Sequence, residues 1–140
     1  MGFNLKYWLP YELKFENGAW QCLWIFVGNH HFNEPFFDET ITLLKAKKGS
    51  SRFISCTSLH FLLALETPLK TITPQSFIFH VSRCGSTLLS QALSTEKSHI
   101  VVPEAPIFDQ ILRMQELDKN LSEIEVEKIF INVVVWFGQF

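Results

Sequence analysis

Apolar runs in the first half of the chain are separated by polar turns. The run Trp20–Val27 is apolar on both faces of an extended chain and ends at Gly28, so it predicts a strand that is buried on both sides. A helix is predicted after it, with Asn33 as its cap and Pro35 in its first turn. The next apolar run, Leu59–Leu65, fits a helix or a strand, because its length does not decide between them. The helix predicted after the strand Trp20–Val27 has the apolar stripe Phe37, Ile41 and Leu44. Its end is expected near Lys47, Lys48 and Gly49.

A segment with two prolines, residues 66–75, separates this half from the rest of the chain. Pro68 and Pro74 block a helix that would continue through it. We therefore predict an N-terminal α+β region of unknown role over residues 1–72 and a second domain that starts at residue 73.

The second half follows the order strand, loop, helix, strand, helix, helix. Phe77–Val81 is a short, β-rich apolar run that is typical of the middle of a parallel sheet. A polar turn leads from it into a predicted helix over Thr87–Leu93, and a second strand is predicted over His99–Val102. The residues that mark one side of the first helix are Leu88, Leu89 and Ala92; those that mark the two later helices are Phe108, Ile111 and Leu112, and the capping box Ser122–Glu125.

This order of elements predicts the α/β fold class. We expect a P-loop-type βαβ unit of a parallel sheet, incomplete, preceded by the small α+β N-terminal region. Two strands do not complete such a sheet, and the chain ends at Phe140 directly after the apolar run Val133–Phe137. We therefore expect the start of a larger α/β domain that is truncated at its C-terminus, with the missing C-terminal half as a pairing partner.

Composition and charge exclude several classes of protein. Hydrophobic residues make up 47% of the chain and charged residues 19%, which excludes disorder as the main state. A formal net charge of -2 provides no general field for nucleic acid or anionic lipid, and no apolar run approaches the ~20 residues of a membrane span. Three cysteines without a CxxC pair fit neither a disulfide framework nor a zinc site, and no secretory signal is visible. We expect a cytoplasmic protein without a nucleic-acid or membrane partner.

The turn Ser82–Thr87 predicts a binding site for a phosphate-like anion. A loop between a strand and a helix directs successive backbone N–H groups into one concavity, where the helix dipole also favours negative charge. Gly85 allows the backbone to approach the anion, and the hydroxyl groups of Ser86 and Thr87 add donors.

The loop differs from the nucleotide P-loop G-x-x-x-x-G-K-[ST] at both diagnostic positions. When Gly85 is aligned with the second glycine, His80 stands at the first glycine and Ser86 at the lysine. The basic residue is Arg83 instead, two positions before the glycine. A kinase-like P-loop protein is therefore the less favoured alternative, since no aspartate for magnesium is recognisable at a later strand end either.

The loop sequence Arg83-Cys84-Gly85-Ser86-Thr87 resembles that of the sulfotransferase family, and most of all its tyrosylprotein-sulfotransferase-like branch. In that family a related P-loop binds the 5′-phosphosulfate of 3′-phosphoadenosine 5′-phosphosulfate. A catalytic Glu follows at the end of the next strand, and Glu104 stands at a comparable interval here. The resemblance covers roughly residues 76–113. It implies Arg83 and Glu104 as catalytic residues, Ser82, Arg83, Cys84, Gly85, Ser86 and Thr87 as cofactor-binding residues, and no metal.

The chemistry that the resemblance implies uses these residue types directly. Transfer of a sulfuryl group builds negative charge on the oxygen that bridges sulfur to the 5′-phosphate, and Arg83 is the expected cation there. Glu104 is the expected base for the proton of the acceptor hydroxyl. The acceptor itself, a small molecule or a peptide, is not specified by the sequence, and the segments that bind the 3′-phosphate in the family have no counterpart in this chain.

Other features of the sequence have plainer interpretations. A non-catalytic, truncated remnant that pairs with a partner chain remains a third hypothesis for the whole chain. His30, His31, Glu34 and Asp38 lack a metal-ligand spacing, and we expect a solvated turn there. Cys84 is expected to be a spectator, and His80 is given no role beyond lining the loop.

Overall fold

One antiparallel sheet and six helices make up the part of the chain that the structure describes. The structure is a computed structural model, and it describes residues 5–46, 54–65 and 71–140. Within these residues the strand order in the sheet is β1-β2-β3, with both pairs antiparallel. The strands are β1 (Trp8–Glu16), β2 (Ala19–Phe26) and β3 (Ile54–Ser58). The helices are α1 (Phe37–Ala46), α2 (Leu59–Leu63), α3 (Ser86–Ser94), α4 (Pro106–Leu112), α5 (Met114–Leu117) and α6 (Glu123–Phe137).

A tight turn at Asn17-Gly18 joins β1 to β2. Both residues have positive φ angles, 53° and 75°, as a two-residue hairpin turn requires. Side chains on one face of the hairpin are buried, while Ala19 and Gln21 face solvent. The prediction that β2 is buried on both faces is therefore wrong for its first half, because β1 and β2 expose one face of the hairpin there.

A helix follows β2, as predicted, but it begins at Phe37, so the predicted cap at Asn33 and the placement of Pro35 in its first turn are wrong. The ambiguous run near residue 60 is the helix α2. Phe37, Ile41 and Leu44 of α1 are buried, as their spacing predicted. The predicted end of this helix at residues 47–49 lies outside the described residues. The capping box at Ser122 is confirmed, since Glu125 N–H donates to the Ser122 hydroxyl and Ser122 N–H donates to the Glu125 carboxylate.

Helices α4 and α6 pack on the sheet and share its hydrophobic core. The Trp136 indole N–H donates to the carbonyl oxygen of Trp8 at 2.7 Å. The rings of Trp24 and Trp136 meet edge to face, with centroids 5.8 Å apart. The Leu13 N–H on β1 donates to the side-chain oxygen of Gln110 on α4 at 2.8 Å. These contacts join residues on both sides of the domain boundary predicted at residue 72, which itself stays a prediction.

The prediction of an α/β fold with a parallel βαβ unit is wrong for the described residues. They contain no parallel strand pair: Phe77–Val81 and His99–Val102, which were expected to be adjacent strands, form no sheet. A β-rich run becomes a strand only where a neighbouring chain pairs with its N–H and C=O groups, and these two runs find no such partner. The helix expected between them is present as α3, but none of its residues is buried.

In the residues that the structure describes, no helix combines the length and the apolar character required to cross a membrane.

Candidate functional site

The loop that the sequence singled out forms a turn between the extended segment 71–81 and α3. Arg83 and Gly85 adopt left-handed backbone conformations, with φ of 61° and 88°. Gly85 is the N-cap of α3, and its carbonyl oxygen accepts the Leu89 N–H at 3.1 Å. A Cβ atom at Gly85 would meet nothing within 4 Å, so it is the backbone conformation that favours glycine here.

The backbone donors of this turn have few partners in the protein. Among the described residues, the N–H groups from Ser82 to Leu88 make no hydrogen bond of good geometry, although Ser82 and Arg83 lie in a tight turn. No side chain caps α3 either. The first turn of a helix leaves such groups without a partner in the helix, and an anion can accept from them.

An open cavity of about 550 Å³ lies beside these donors. One wall is the extended segment Ile78–Val81, and the other side is formed by Cys84–Ser86 together with Leu89. It is a surface depression that is largely open to solvent rather than an enclosed pocket, since Phe79 on its wall is 93% exposed. The cavity therefore combines apolar walls with backbone donors at one end.

Glu104 contacts a residue that lines the same cavity. It belongs to the connection between α3 and α4, has a φ of 47°, and places Oε1 3.2 Å from Nε2 of His80. His80 lines the cavity. The structure thus brings together the loop and the carboxylate that the resemblance paired, although it does so through a histidine and without a parallel sheet.

Arg83 is less well placed than predicted. Its side chain is exposed and does not line the cavity. Among the described carboxylates, none lies within 4.0 Å of its guanidinium group, so Arg83 and Glu104 are not an ion pair.

The His30 and Glu34 pair is a structural contact. Nε2 of His30 lies 3.1 Å from Oε2 of Glu34, and the Thr40 hydroxyl donates to the same oxygen at 2.6 Å. Burial raises the pKa of Glu34, but the hydrogen bonds from Thr40 and His30 outweigh it and hold the pKa below its ordinary value. Both side chains are largely buried, so the expected solvated turn is wrong for them, whereas His31 is exposed.

Nothing in the described part of the chain forms a metal centre. No group of three or more His, Cys, Asp or Glu side chains is placed there to hold a metal ion. Of the free cysteines, Cys84 is exposed beside the cavity and Cys22 is buried. Burial raises the pKa of the Cys22 thiol well above its ordinary value, with a smaller contribution from Cys56.

The chain matches no protein-family model, and comparisons with curated proteins and with solved structures gave no match. No family is shown. The sulfotransferase resemblance therefore depends on the residues of this chain alone.

Of the predicted site residues, Cys84, Gly85 and Ser86 line the cavity, whereas Glu104 does not line it but contacts His80, which does. The other predicted binding residues, Ser82, Arg83 and Thr87, belong to the same turn but do not line the cavity. Sequence reasoning missed the contact of His80. Its only signal was the position of a polar residue inside the apolar run Phe77–Val81, which is too weak to identify a partner 24 positions away.

Proposed function

We propose that the chain is sulfotransferase-like and that the turn Ser82–Thr87 binds the phosphosulfate end of 3′-phosphoadenosine 5′-phosphosulfate. The observation that carries the proposal is the turn Ser82–Thr87 at the N-terminus of α3, whose N–H groups make no well-formed hydrogen bond to a described residue. The Glu104 carboxylate lies 3.2 Å from His80, which lines the cavity beside this turn. Backbone donors at a helix N-terminus are a general solution for phosphate-like anions. A carboxylate beside them is the further group that transfer to a hydroxyl requires.

The proposed reaction transfers a sulfuryl group in line to an acceptor hydroxyl. The acceptor oxygen forms a bond to sulfur, the bond from sulfur to the bridging oxygen breaks, and adenosine 3′,5′-bisphosphate leaves. Glu104 takes the proton of the hydroxyl, while the loop N–H groups and Arg83 stabilise the charge on the bridging oxygen. None of the ion pairs among the described residues includes Arg83. Its side chain can therefore turn toward the anion without breaking one.

Binding of adenosine 3′,5′-bisphosphate, measured by titration calorimetry, tests the proposal. We expect Arg83→Ala to weaken binding by about 10-fold to 100-fold, because a charge-assisted hydrogen bond contributes about 1.5–3 kcal/mol. The matched control is Arg113→Ala, which removes another exposed arginine whose partners, Asp109 and Glu116, lie on the surface of α4 and α5. Its affinity should equal that of the wild type.

Two results would contradict the proposal in different ways. Equal affinity of the wild type and Arg83→Ala would remove Arg83 from the site. Absence of bisphosphate binding in the wild type would remove the site itself. Magnesium-dependent binding of ATP in preference to the bisphosphate would favour the kinase-like alternative, despite Ser86 at the position of the P-loop lysine.

A further inference from the structure

The extended segment before the anion-binding turn is anchored on α6 at its start. The Ile72 N–H donates to the carbonyl oxygen of Gly138, directly after α6, at 2.7 Å. A Cβ atom at Gly138 would meet the Ile72 carbonyl oxygen, so the two backbones lie in close contact. Further along the segment, the ring centroid of Phe77 lies 6.5 Å from that of Phe130 on α6. The segment therefore leaves the body of the fold from fixed points.

The end of the segment has one side that is both apolar and exposed. On an extended chain, side chains at alternate positions share a side, which groups Phe77, Phe79 and Val81. These three residues are 57%, 93% and 75% exposed, whereas Ile78 is 49% exposed and the His80 side chain 29%. The solvated side of a strand is ordinarily polar. A contiguous apolar side of this kind is typical of an interaction surface.

The backbone of the run Phe77–Val81 is available for pairing. Apart from Nδ1 of His80, which lies 3.4 Å from the carbonyl oxygen of Val81, no described group pairs with its N–H and C=O groups. The run also contains no Lys, Arg, Asp, Glu or Pro, the residues that protect an edge strand from pairing. It can therefore accept another strand along its length.

A second copy of the chain fits this surface because the run is self-complementary. In an antiparallel pair centred on Phe79, position 77 of one chain lies opposite position 81 of the other, and the two copies of Phe79 face each other. Pairs of two aromatic residues, and of an aromatic with a β-branched residue, are favourable across strands. No like charges meet, since the run carries none of the four charged residue types.

The exposed apolar area fits a dimer that forms reversibly. A phenylalanine buries ~150–250 Å² when it is covered and an aliphatic side chain ~60–120 Å². With Leu89, which lines the same cavity and is 46% exposed, the apolar residues of the run offer roughly 300–600 Å² in each chain. Two copies would bury ~600–1,200 Å² in total, the size of weak and transient interfaces. We therefore expect the dimer to dissociate on dilution.

We propose that Phe77–Val81 is a dimerisation strand, which pairs with the same run of a second copy, antiparallel and about a twofold axis at Phe79. Pairing gives the backbone groups of the run the partners that the described part of the chain does not supply, and it covers Phe79. Because Phe79 and Val81 also line the cavity beside the turn, the second copy borders the proposed anion site. The inference goes beyond the proposed function, since pairing requires no ligand and its failure leaves the anion site unaffected.

Disulfide trapping and light scattering test the proposal on the full chain. Phe79→Cys places two thiols at the twofold axis, where the Cβ atoms of opposite residues are ~4.5–5.5 Å apart, close to the span of a disulfide. Diamide oxidises the two thiols to a disulfide and takes up both hydrogen atoms as it is reduced to the hydrazine. The matched control is Leu117→Cys, at an exposed apolar position of α5. Peptide mass spectrometry distinguishes the introduced thiols from the native cysteines, which are present in both variants.

We expect the wild-type mass to rise with concentration from that of one chain to a plateau at twice that value. Phe79→Cys should form the disulfide between its introduced thiols about 10-fold or more faster than Leu117→Cys, because pairing raises the effective concentration of the thiols.

A mixture of Phe77→Cys and Val81→Cys tests the direction of pairing. An antiparallel pair joins position 77 to position 81, so the mixed disulfide should predominate over the two symmetric ones. A parallel pair would instead join each position to itself.

Every other result overturns the proposal. A wild type that keeps the mass of one chain at all concentrations excludes the dimer and leaves the surface to a different partner. A mass that grows beyond two chains excludes the twofold arrangement, since that arrangement closes after two copies. Equal rates for Phe79→Cys and Leu117→Cys mean that the disulfide forms by random collision, and predominance of the symmetric disulfides excludes the antiparallel register. The wild-type measurement needs no substitution and does not depend on the folding of a variant.

Discussion

Arg83 and Glu104 share an uncommon backbone conformation. Their φ angles are 61° and 47°, in the left-handed region that residues with a Cβ atom rarely adopt. Each such residue costs of order 1–3 kcal/mol, and such strain concentrates at functional sites. The two residues that the resemblance selected as catalytic are thus both strained. The other two such residues in the described part of the chain are Tyr7 and Asn17. The interval between Arg83 and Glu104 could be read from the sequence. The strain of their backbones and the contact between His80 and Glu104 could not, since both depend on the folded backbone.

At the same scale, the lowered pKa of Glu34 predicts a contribution to stability that depends on pH. A carboxylate with a lowered pKa stabilises the fold above its ordinary pKa of 4.5, and this contribution is lost as the pH falls through the lower folded-state value. We expect Glu34→Gln to reduce the free energy of unfolding by about 1–2 kcal/mol at pH 7. The variant should also lose stability less steeply than the wild type below pH 4.5.

Urea denaturation at a series of pH values between neutrality and the acid transition measures this effect. Glu127→Gln, at an exposed position of α6, is the control and should follow the wild-type curve. If the stability of Glu34→Gln and of the wild type falls in parallel with pH, the hydrogen bonds from Thr40 and His30 do not contribute to the pH dependence of stability.

At the scale of elements, helices were predictable where their signals were local. The apolar stripe of α1 and the capping box of α6 both correspond to helices in the structure, although α1 begins at Phe37 rather than after the predicted cap at Asn33. Two strands were missed. β1 has a turn signal at its end, Asn17-Gly18, that would have identified the hairpin, whereas β3 is a largely polar run whose pairing with β2 depends on a distant segment.

The edge of the sheet at β1 supplies a prediction at this scale. β1 pairs with β2 on one side only, and on the other side its Leu13 N–H donates to Gln110 of α4. We expect Gln110→Leu to lower the free energy of unfolding by about 1–3 kcal/mol, because it leaves this N–H without a partner. Gln110→Glu keeps an acceptor and should recover much of the loss. Denaturant unfolding and the hydrogen-exchange rate of the Leu13 amide measure both effects.

Gln91→Leu is the control for that comparison, since Gln91 is exposed on α3, a helix with no buried residue. Two results would contradict the prediction: Gln110→Leu lowers the free energy of unfolding no more than Gln91→Leu does, or it leaves the hydrogen-exchange rate of the Leu13 amide unchanged. Either result would show that water replaces the Gln110 oxygen without a loss of stability.

At the scale of the whole molecule, the sequence indicated which residues surround the loop, but it did not indicate which elements pack against them. The run Phe77–Val81 and α3 are both present, and they border an open depression beside the loop. The predicted parallel sheet is absent because a strand forms only when a second segment pairs with its backbone. The apolar character of one run does not show that such a partner exists. The consequence is a surface with Phe79 93% and Val81 75% exposed.

That surface predicts self-association of the chain. Phe77–Val81 is extended, apolar and free of Lys, Arg, Asp and Glu, which are properties of segments that pair with another chain. We expect the mass measured by light scattering to rise with concentration, and Phe79→Lys to reduce that rise, since a lysine on an edge opposes pairing. Stability should change by less than about 0.5 kcal/mol, because the Phe79 ring has almost no protein contact to lose. Leu117→Lys, at an apolar side chain that is 65% exposed on α5 and outside this segment, should leave the association unchanged. A mass independent of concentration in the wild type, or equal effects of the two lysines, would contradict the assignment of self-association to this segment.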